Sequence, residues 1–250
     1  MKVSIITVSY NAVDTIEQTI KSVLEQDHDD LEYVVIDGDS KDGTTDIIKV
    51  YAKQISNFVS EPDNGIYDAM NKGIANCQGD VIGILNADDV YTHRSVISKI
   101  VHTFNEHNTD AVYGDLQYVA KNDLNKVIRY WRSRDHRDGD FKKGWMPPHP
   151  SFFLKKEIYD DHGTYRTDLH ISADYELMLR MFVKHGISSK HIPEVITKMR
   201  VGGESNVSLK NRIKANKEDR LAWKLNDLDP GKLTLIKKPL RKIDQFWKKA

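Results

Sequence analysis

Of 250 residues only Cys77 is a cysteine, which excludes an intrachain disulfide and any zinc site built on thiolates. A reducing, cytoplasmic compartment is therefore expected. Long apolar runs are missing as well: no window approaches the ~20 consecutive apolar residues that a membrane-spanning helix needs. The opening MKVSIITVSYN turns polar too early for a signal peptide and lacks a small-residue cleavage site. Net charge is absent. Lys plus Arg and Asp plus Glu number 37 each, so the whole chain has no field that would draw in nucleic acid. The glycine signatures for phosphate are also missing. GDSKDGT is not G-x-G-x-x-G, and no G-x-x-x-x-G-K-[S/T] occurs. A phosphate ligand would need another counter-charge.

What charge there is lies unevenly. Residues 208–250 hold thirteen basic and five acidic residues, which leaves the preceding body acidic by the same margin. Within that body, apolar runs alternate with helical patterns. VSIITVSY (3–10) precedes a helix whose Ile16, Ile20, Val23 and Leu24 recur on one face, and EYVVIDG (32–38) precedes one carrying Ile47, Ile48, Tyr51, Ala52 and Ile55. NFVSE (57–61) leads into IYDAMNKGIANC, and DVIGILN (80–86) into a helix with Ile97, Ile100, Val101 and Phe104. Parallel strands need crossover connections, so four such alternations predict an α/β domain with a mostly parallel, Rossmann-like sheet and helices on both faces. DAVYGDLQYVA and KVIRYWR read as further strands, ADYELMLRMFVKH as a helix, and 207–226 as a lysine-rich helical extension. The expected division is a body over 1–205 and a basic amphipathic tail over 206–250.

In such a sheet, ligands bind beyond the carboxyl ends of the strands. Asp37 and Asp39 follow the second strand and Asp88 and Asp89 the fourth, so four carboxylates should gather on one edge although about fifty residues separate the pairs. Each alone reads equally well as a turn or cap residue. Adjacent carboxylates repel, and a hard divalent cation between Asp88, Asp89 and a diphosphate would reconcile them.

The segments VSIITVSYN, VVIDGDSKDGT, SEPDNGIYDAMNKGIANCQGD, IGILNADD, HPSFF and SADYELMLRM resemble, in order and spacing, the bacterial inverting glycosyltransferases of family 2. The resemblance covers about residues 1–205 and implies the GT-A fold. It is greatest to members that build exopolysaccharide, capsule or lipopolysaccharide. In them the first aspartate of an Asp-x-Asp element is often replaced; here Asn86 stands there, with Ala87 between it and Asp88. The resemblance implies a nucleotide-sugar site of Val8, Tyr10, Asp37, Asp39, Asn71, Lys72, Asn86 and Ala87. It also implies a cation, Mn2+ or Mg2+, at Asp88 and Asp89 with His149 as a further candidate ligand, and Asp174 as the base. Asp37 would accept a base N–H, which uracil and guanine can offer and cytosine's ring cannot, so UDP- and GDP-sugars fit and CMP-sugars fit less well; of the two, a UDP-sugar is the expected donor. The plainer role for Asp174 is a helix cap, for His149 a turn residue between prolines, and for Asn71 and Lys72 a helix surface. The acceptor would be a glycan or a lipid-linked sugar.

Two other classes fit parts of the pattern. A nucleotidyltransferase would need a glycine- and arginine-rich loop after the first strand, where this chain has SYNAVDT; a non-catalytic sugar-nucleotide or glycan binder is separated only by activity. Finally, Lys232 to Ala250 contains seven basic residues and one acidic, with Leu240, Ile243, Phe246 and Trp247 spaced for one helix face. That is the make-up of an interfacial helix on an anionic membrane, and the expectation is attachment to the inner face of the cell membrane. The alternatives are packing on the acidic body or on a second subunit, which would make a homo-oligomer. Asn206 in NVS is formally a glycosylation acceptor that a cytoplasmic protein would leave unmodified.

Overall fold

The computed structural model describes residues 1–202, 209–231 and 234, with backbone alone for 209–212. The expected boundary at 205/206, Asn206 and the stretch 235–250 lie outside the described residues.

The alternating pattern of the first hundred residues folds as predicted. Strands β1 (Val3–Ser9), β2 (Leu31–Asp37), β3 (Asn57–Ser60) and β4 (Val81–Ile84) pair in parallel in the order β3-β2-β1-β4. Period two sorts their side chains into layers. Ile6, Val8, Val34, Ile36, Ile82 and Ile84 enter one layer, and Val3, Ile5, Tyr33, Val35, Val81 and Leu85 the other. Helices α1 (Ile16–Leu24) and α2 (Thr44–Val50) cover the second layer, while α3 (Ile66–Ala75) covers the first. On α3, a side chain at Gly73 would run into Ile6, so this helix lies close against the sheet. Each fully buried aliphatic side chain contributes about 1.5–3 kcal/mol, and both faces of the sheet are filled in this way.

After β5 (Val90–Tyr91) and α4 (Val96–His107), the sheet turns mixed. It continues through β6 (Ala111–Ala120), β7 (Asp123–Trp131), β8 (Phe152–Lys155) and β9 (Ser189–Arg200) in the order β4-β8-β6-β9-β5, with β7 an outer partner of β6. Only β6 and β9 pair in parallel in this half, although by paired residues the whole sheet remains mostly parallel. Between β8 and β9 lie α5 (Lys156–His162) and α6 (Ala173–Leu179), which passes into a wider π turn over Arg180–Lys184.

Helix α7 (Leu209–Leu225) departs from the expected division. Trp223 is fully buried and its indole N–H donates to Tyr175 Oη at 2.8 Å; Asn226 Nδ2 donates to Glu176 at 3.0 Å. The segment from α7 to Leu228 therefore shares the core of the body, where a separate tail was expected.

Candidate active site

The edge at the carboxyl ends of β1, β2 and β4 is held by a local network. Asn11 N donates to Ser40 Oγ (2.8 Å), and Lys41 N donates to Asn11 Oδ1 (3.0 Å), which ties the loop after β1 to the loop after β2. Asn11 (φ 47°) and Asp39 (φ 64°) both hold the left-handed conformation that only a few non-glycine residues tolerate. Tyr10 projects from this edge, 68% exposed, a large aromatic surface with one face open to a ligand. Val8 is buried, and its carbonyl accepts the Ala87 N–H at 3.2 Å.

Asp37 is shut from solvent. Its oxygens accept from Ser9 Oγ (2.9 Å), Ser40 Oγ (2.6 Å), Ser40 N (2.9 Å) and Ser60 Oγ (2.9 Å). A base N–H would have to displace one of these four donors. Asp39 is half-buried beside Lys41. Beside them and Tyr10 lies Asp63, a carboxylate absent from the expected site. It packs so closely on Gly38 that a Cβ there would run into Asp63 Oδ2. Its only local signal is its place inside SEPDNG, after the third strand.

Asn71 and Lys72 are engaged with protein. Asn71 donates to Tyr165 O (2.8 Å) and accepts from Tyr165 N (2.9 Å), clasping the loop before α6 to α3. Lys72 pairs with Glu61 (2.8 Å) and donates to Pro62 O (2.9 Å).

The turn after β4 carries the acidic pair. Asn86 O accepts from Asp89 N (3.0 Å) and Thr19 Oγ1 donates to Asp89 O (2.7 Å), closing the turn. Asp89 has no exposed surface, and neither carboxylate oxygen has a hydrogen-bond partner. Burial first, and the charge of Asp88 second, push its pKa well above the usual range. Asp88 is half-buried and is also pushed up by burial. Opposite them stands Arg200, the last residue of β9, 5% exposed and donating to Asp88 O, to Gln18 and to Lys121 O (3.1 Å). Local sequence could not reveal Arg200, because its partner lies over a hundred residues away.

His149, in the turn before β8, lies edge-on to Tyr165 (centroids 5.9 Å) with both ring nitrogens buried and without partners. Burial lowers its pKa, against an opposing pull from the Asp174 charge. It does not join the acidic pair. Among the described residues no three His, Cys, Asp or Glu side chains converge as a metal cage, which corrects the expected set of Asp88, Asp89 and His149. The donors present still fit one hard cation, since magnesium and manganese sites at phosphates commonly use one or two carboxylates with the ligand's own oxygens. Asp88 is the available carboxylate; Asp89 faces inward.

Asp174 lies in the first turn of α6, half-buried, with Tyr67 Oη 3.3 Å from its Oδ1. The cap position belongs to Ser172, so the simple capping role for Asp174 is not the one seen. The loop before it is fixed from α7: Glu218 accepts the N–H groups of His170 (3.1 Å), Ile171 (2.7 Å) and Ser172 (3.0 Å) through one oxygen.

An open edge with an aromatic, a carboxylate turn and a carboxylate at a helix start suits a nucleotide ligand and a proton transfer, and similarity to known proteins agrees. The profile of Glycosyl transferase family 2 matches residues 4–167. A PGL/p-HBAD biosynthesis glycosyltransferase of Mycobacterium bovis is 26% identical over 208 residues, 81% of this chain and 78% of that one. The crystal structure of S. aureus TarS 1–349 in complex with UDP superposes with a TM-score of 0.69 at 15% identity, covering 98% of this chain and 72% of that one. The mannosyltransferase PcManGT from Pyrobaculum calidifontis, in complex with GDP-Man and Mn2+, gives 0.68 at 21% identity, covering 95% and 68%. With the profile spanning well over half of its residues and its architecture shared with solved glycosyltransferases, this chain belongs to glycosyl transferase family 2 and is a glycosyltransferase of the GT-A fold.

Proposed function

We propose that the protein transfers a sugar, with inversion, from a nucleoside diphosphate sugar to a glycan or lipid-linked acceptor in bacterial surface polysaccharide synthesis. The observation that carries this reading is the arrangement of one sheet edge: open Tyr10 at one end, Asp174 at the start of α6, and the Asn86–Asp89 turn after β4. The nucleobase stacks on Tyr10, and Asp39, Asp63 or an Asp37 freed from one serine accepts its N–H, which suits uracil or guanine and not the ring of cytosine. The bound nucleotides of the two solved relatives, UDP and GDP-Man, support this donor class. Asp88, together with the donor's phosphates, would hold Mn2+ or Mg2+, which when bound supplies positive charge for the leaving nucleoside diphosphate. Asp174 accepts the acceptor hydroxyl's proton as that oxygen attacks the anomeric carbon opposite the leaving group. Burial lowers the pKa of His149, which favours its neutral form. The tail beyond Leu235 brings the enzyme to an anionic membrane surface.

Thermal-shift screening of UDP-, GDP- and CMP-sugars with and without Mn2+ tests the donor, since a ligand at 100 times its Kd stabilises by about 2.7 kcal/mol. A UDP-sugar is expected to give the largest shift, raised further by Mn2+. Asp174→Asn should lower turnover by ~10²–10⁴ with donor affinity unchanged. Retained turnover in that variant, or no shift with any nucleotide sugar, defeats the reading.

A further inference from the structure

Tyr67 stands in the first turn of α3, in the segment that follows Asp63 of the donor edge, and its side chain is buried. Its ring stacks on that of Tyr165 (centroids 5.7 Å apart, 17° between planes), and Asn71, one turn along α3, grips Tyr165 by both its N–H and its carbonyl. The phenol is thereby held in place. Its Oη lies 2.8 Å from Ile171 O and 3.3 Å from Asp174 Oδ1, so two acceptors face a group that has one hydrogen to give. Ile171 O is fixed in turn, because the N–H of the same peptide, that of Ser172, bonds to Glu218 of α7. Burial first, and the Asp174 charge second, push the phenol's pKa well above its usual value. Tyr67 thus keeps its proton and offers it as a hydrogen bond. His149 from the turn before β8, Tyr165 from the loop before α6 and Tyr118 from β6 also feel the Asp174 charge, and burial favours the neutral form of each.

We propose that Tyr67 is a positioning residue for the base: its one hydrogen turns toward Asp174 Oδ1 while that carboxylate is ionised and returns to Ile171 O once Asp174 holds a proton. This rests on the reading of Asp174 as the base. A hydroxyl hydrogen rotates about its C–O bond, and an ionised carboxylate draws a shorter and stronger hydrogen bond than a main-chain carbonyl, so the charge on Asp174 decides which acceptor wins. The ring cannot follow that pull, because the Tyr165 stack and the Asn71 clasp hold it; the carboxylate turns instead. Oδ1 is then directed to α3, and Oδ2 is left for the acceptor hydroxyl. In the transfer the acceptor oxygen bonds to the anomeric carbon as the bond from that carbon to the diphosphate breaks, and the hydroxyl proton goes to Asp174. The phenol loses no proton and only exchanges one hydrogen-bond partner for the other. Donation to the charged form also favours that form, which keeps Asp174 ready to accept a proton at lower pH.

The direct test needs no substrate. The full chain, with its aspartates labelled with carbon-13 at Cγ, is titrated by NMR, and the Asp174 signal is identified by its loss in Asp174→Asn. Without the phenol's donation the ionised carboxylate loses support, so its midpoint in Tyr67→Phe should lie at least ~0.3 pH units above that of wild type. 3-Fluorotyrosine in place of Tyr67 keeps the ring and its hydrogen but donates more strongly. It should move the midpoint down, which keeps the test decisive if Tyr67→Phe does not fold. Nucleoside diphosphate release, measured with the nucleotide sugar that gives the largest thermal shift, should fall at least ~3-fold in Tyr67→Phe, the loss widening toward acid pH, with the donor KM within about twofold of wild type. A smaller rise or a fall of the midpoint in Tyr67→Phe, a midpoint that does not fall with 3-fluorotyrosine, unchanged turnover, or a loss equal at every pH overturns the proposal and returns Tyr67 to packing. Retained turnover in Asp174→Asn defeats the reading of Asp174 as the base, whatever the midpoints show.

Discussion

Asp89 stands where a carboxylate is hardest to keep ionised: it is sealed from water, its oxygens lack partners, and Asp88 adds a like charge. Arg200 opposes these effects only in part. The folded state therefore holds the proton more tightly than the unfolded state does. For an acid with a raised pKa, stability is greatest below the unfolded value and falls as pH climbs toward the folded one. Asp89→Asn should consequently melt higher than wild type at pH 7–8 without metal, and the difference should shrink toward pH 4. Each unit of raised pKa corresponds to about 3–5 °C in a chain of this size. A gap in Tm that stays constant with pH would remove the protonation argument. At this scale the sequence was legible only where chemistry is local. The doublet Asp88–Asp89 announced itself, whereas the hold of Arg200 on the Asp88 carbonyl and the filling of Asp37 by Ser9 and Ser60 come from other strands.

Among elements, α7 has the largest bearing on the site for its distance from it. Three consecutive backbone N–H groups converge on one oxygen of Glu218, and the helix that begins just after them carries Asp174. Glu218 is 8% exposed, so its loss leaves three donors with little access to water. Glu218→Ala should cost about 1.5–3 kcal/mol in urea unfolding, with Glu218→Gln recovering part of it through its remaining carbonyl. If this contact also positions the base, kcat falls by up to ~10²-fold in the alanine variant with the donor KM unchanged, and the glutamine variant is intermediate. An unchanged kcat at reduced stability would confine Glu218 to holding the fold. Sequence pattern did find α7, but as a polar appendage. Lys210, Lys214, Lys217 and Lys224 dominate its composition, and only the partners of Trp223 reveal which side is buried. The first four strands were legible because each is an apolar run followed by a helical period. Strands β5 and β8 are too short for a period, and β9 carries Pro193 and several charges along a largely half-buried course.

For the whole molecule the decisive asymmetry is electrostatic. The body before residue 208 is acidic and the stretch 208–250 is basic, yet α7 belongs to the body, so the charge left for a surface lies beyond it. Residues 235–250 contain six basic residues and one acidic, with Leu240, Ile243, Phe246 and Trp247 spaced for a single helix face. Among the described residues no helix is long and apolar enough to cross a membrane. Attraction of ~1 kcal/mol per basic residue to anionic headgroups would by itself hold the body at a surface where lipid-linked acceptors lie. Thr234 sets where the tail can be cut: it is buried and donates to Lys142 O at 2.8 Å, so a chain ending at Leu235 keeps this contact while losing the basic segment. Full-length protein should co-sediment with phosphatidylglycerol vesicles, little with phosphatidylcholine, and less as salt rises and the screening length shrinks. The shortened chain should stay in the supernatant with its Tm and its transfer to a water-soluble acceptor unchanged. Vesicle binding that survives the truncation would assign the attraction to the body, and binding by neither form would turn the apolar face of the tail toward protein.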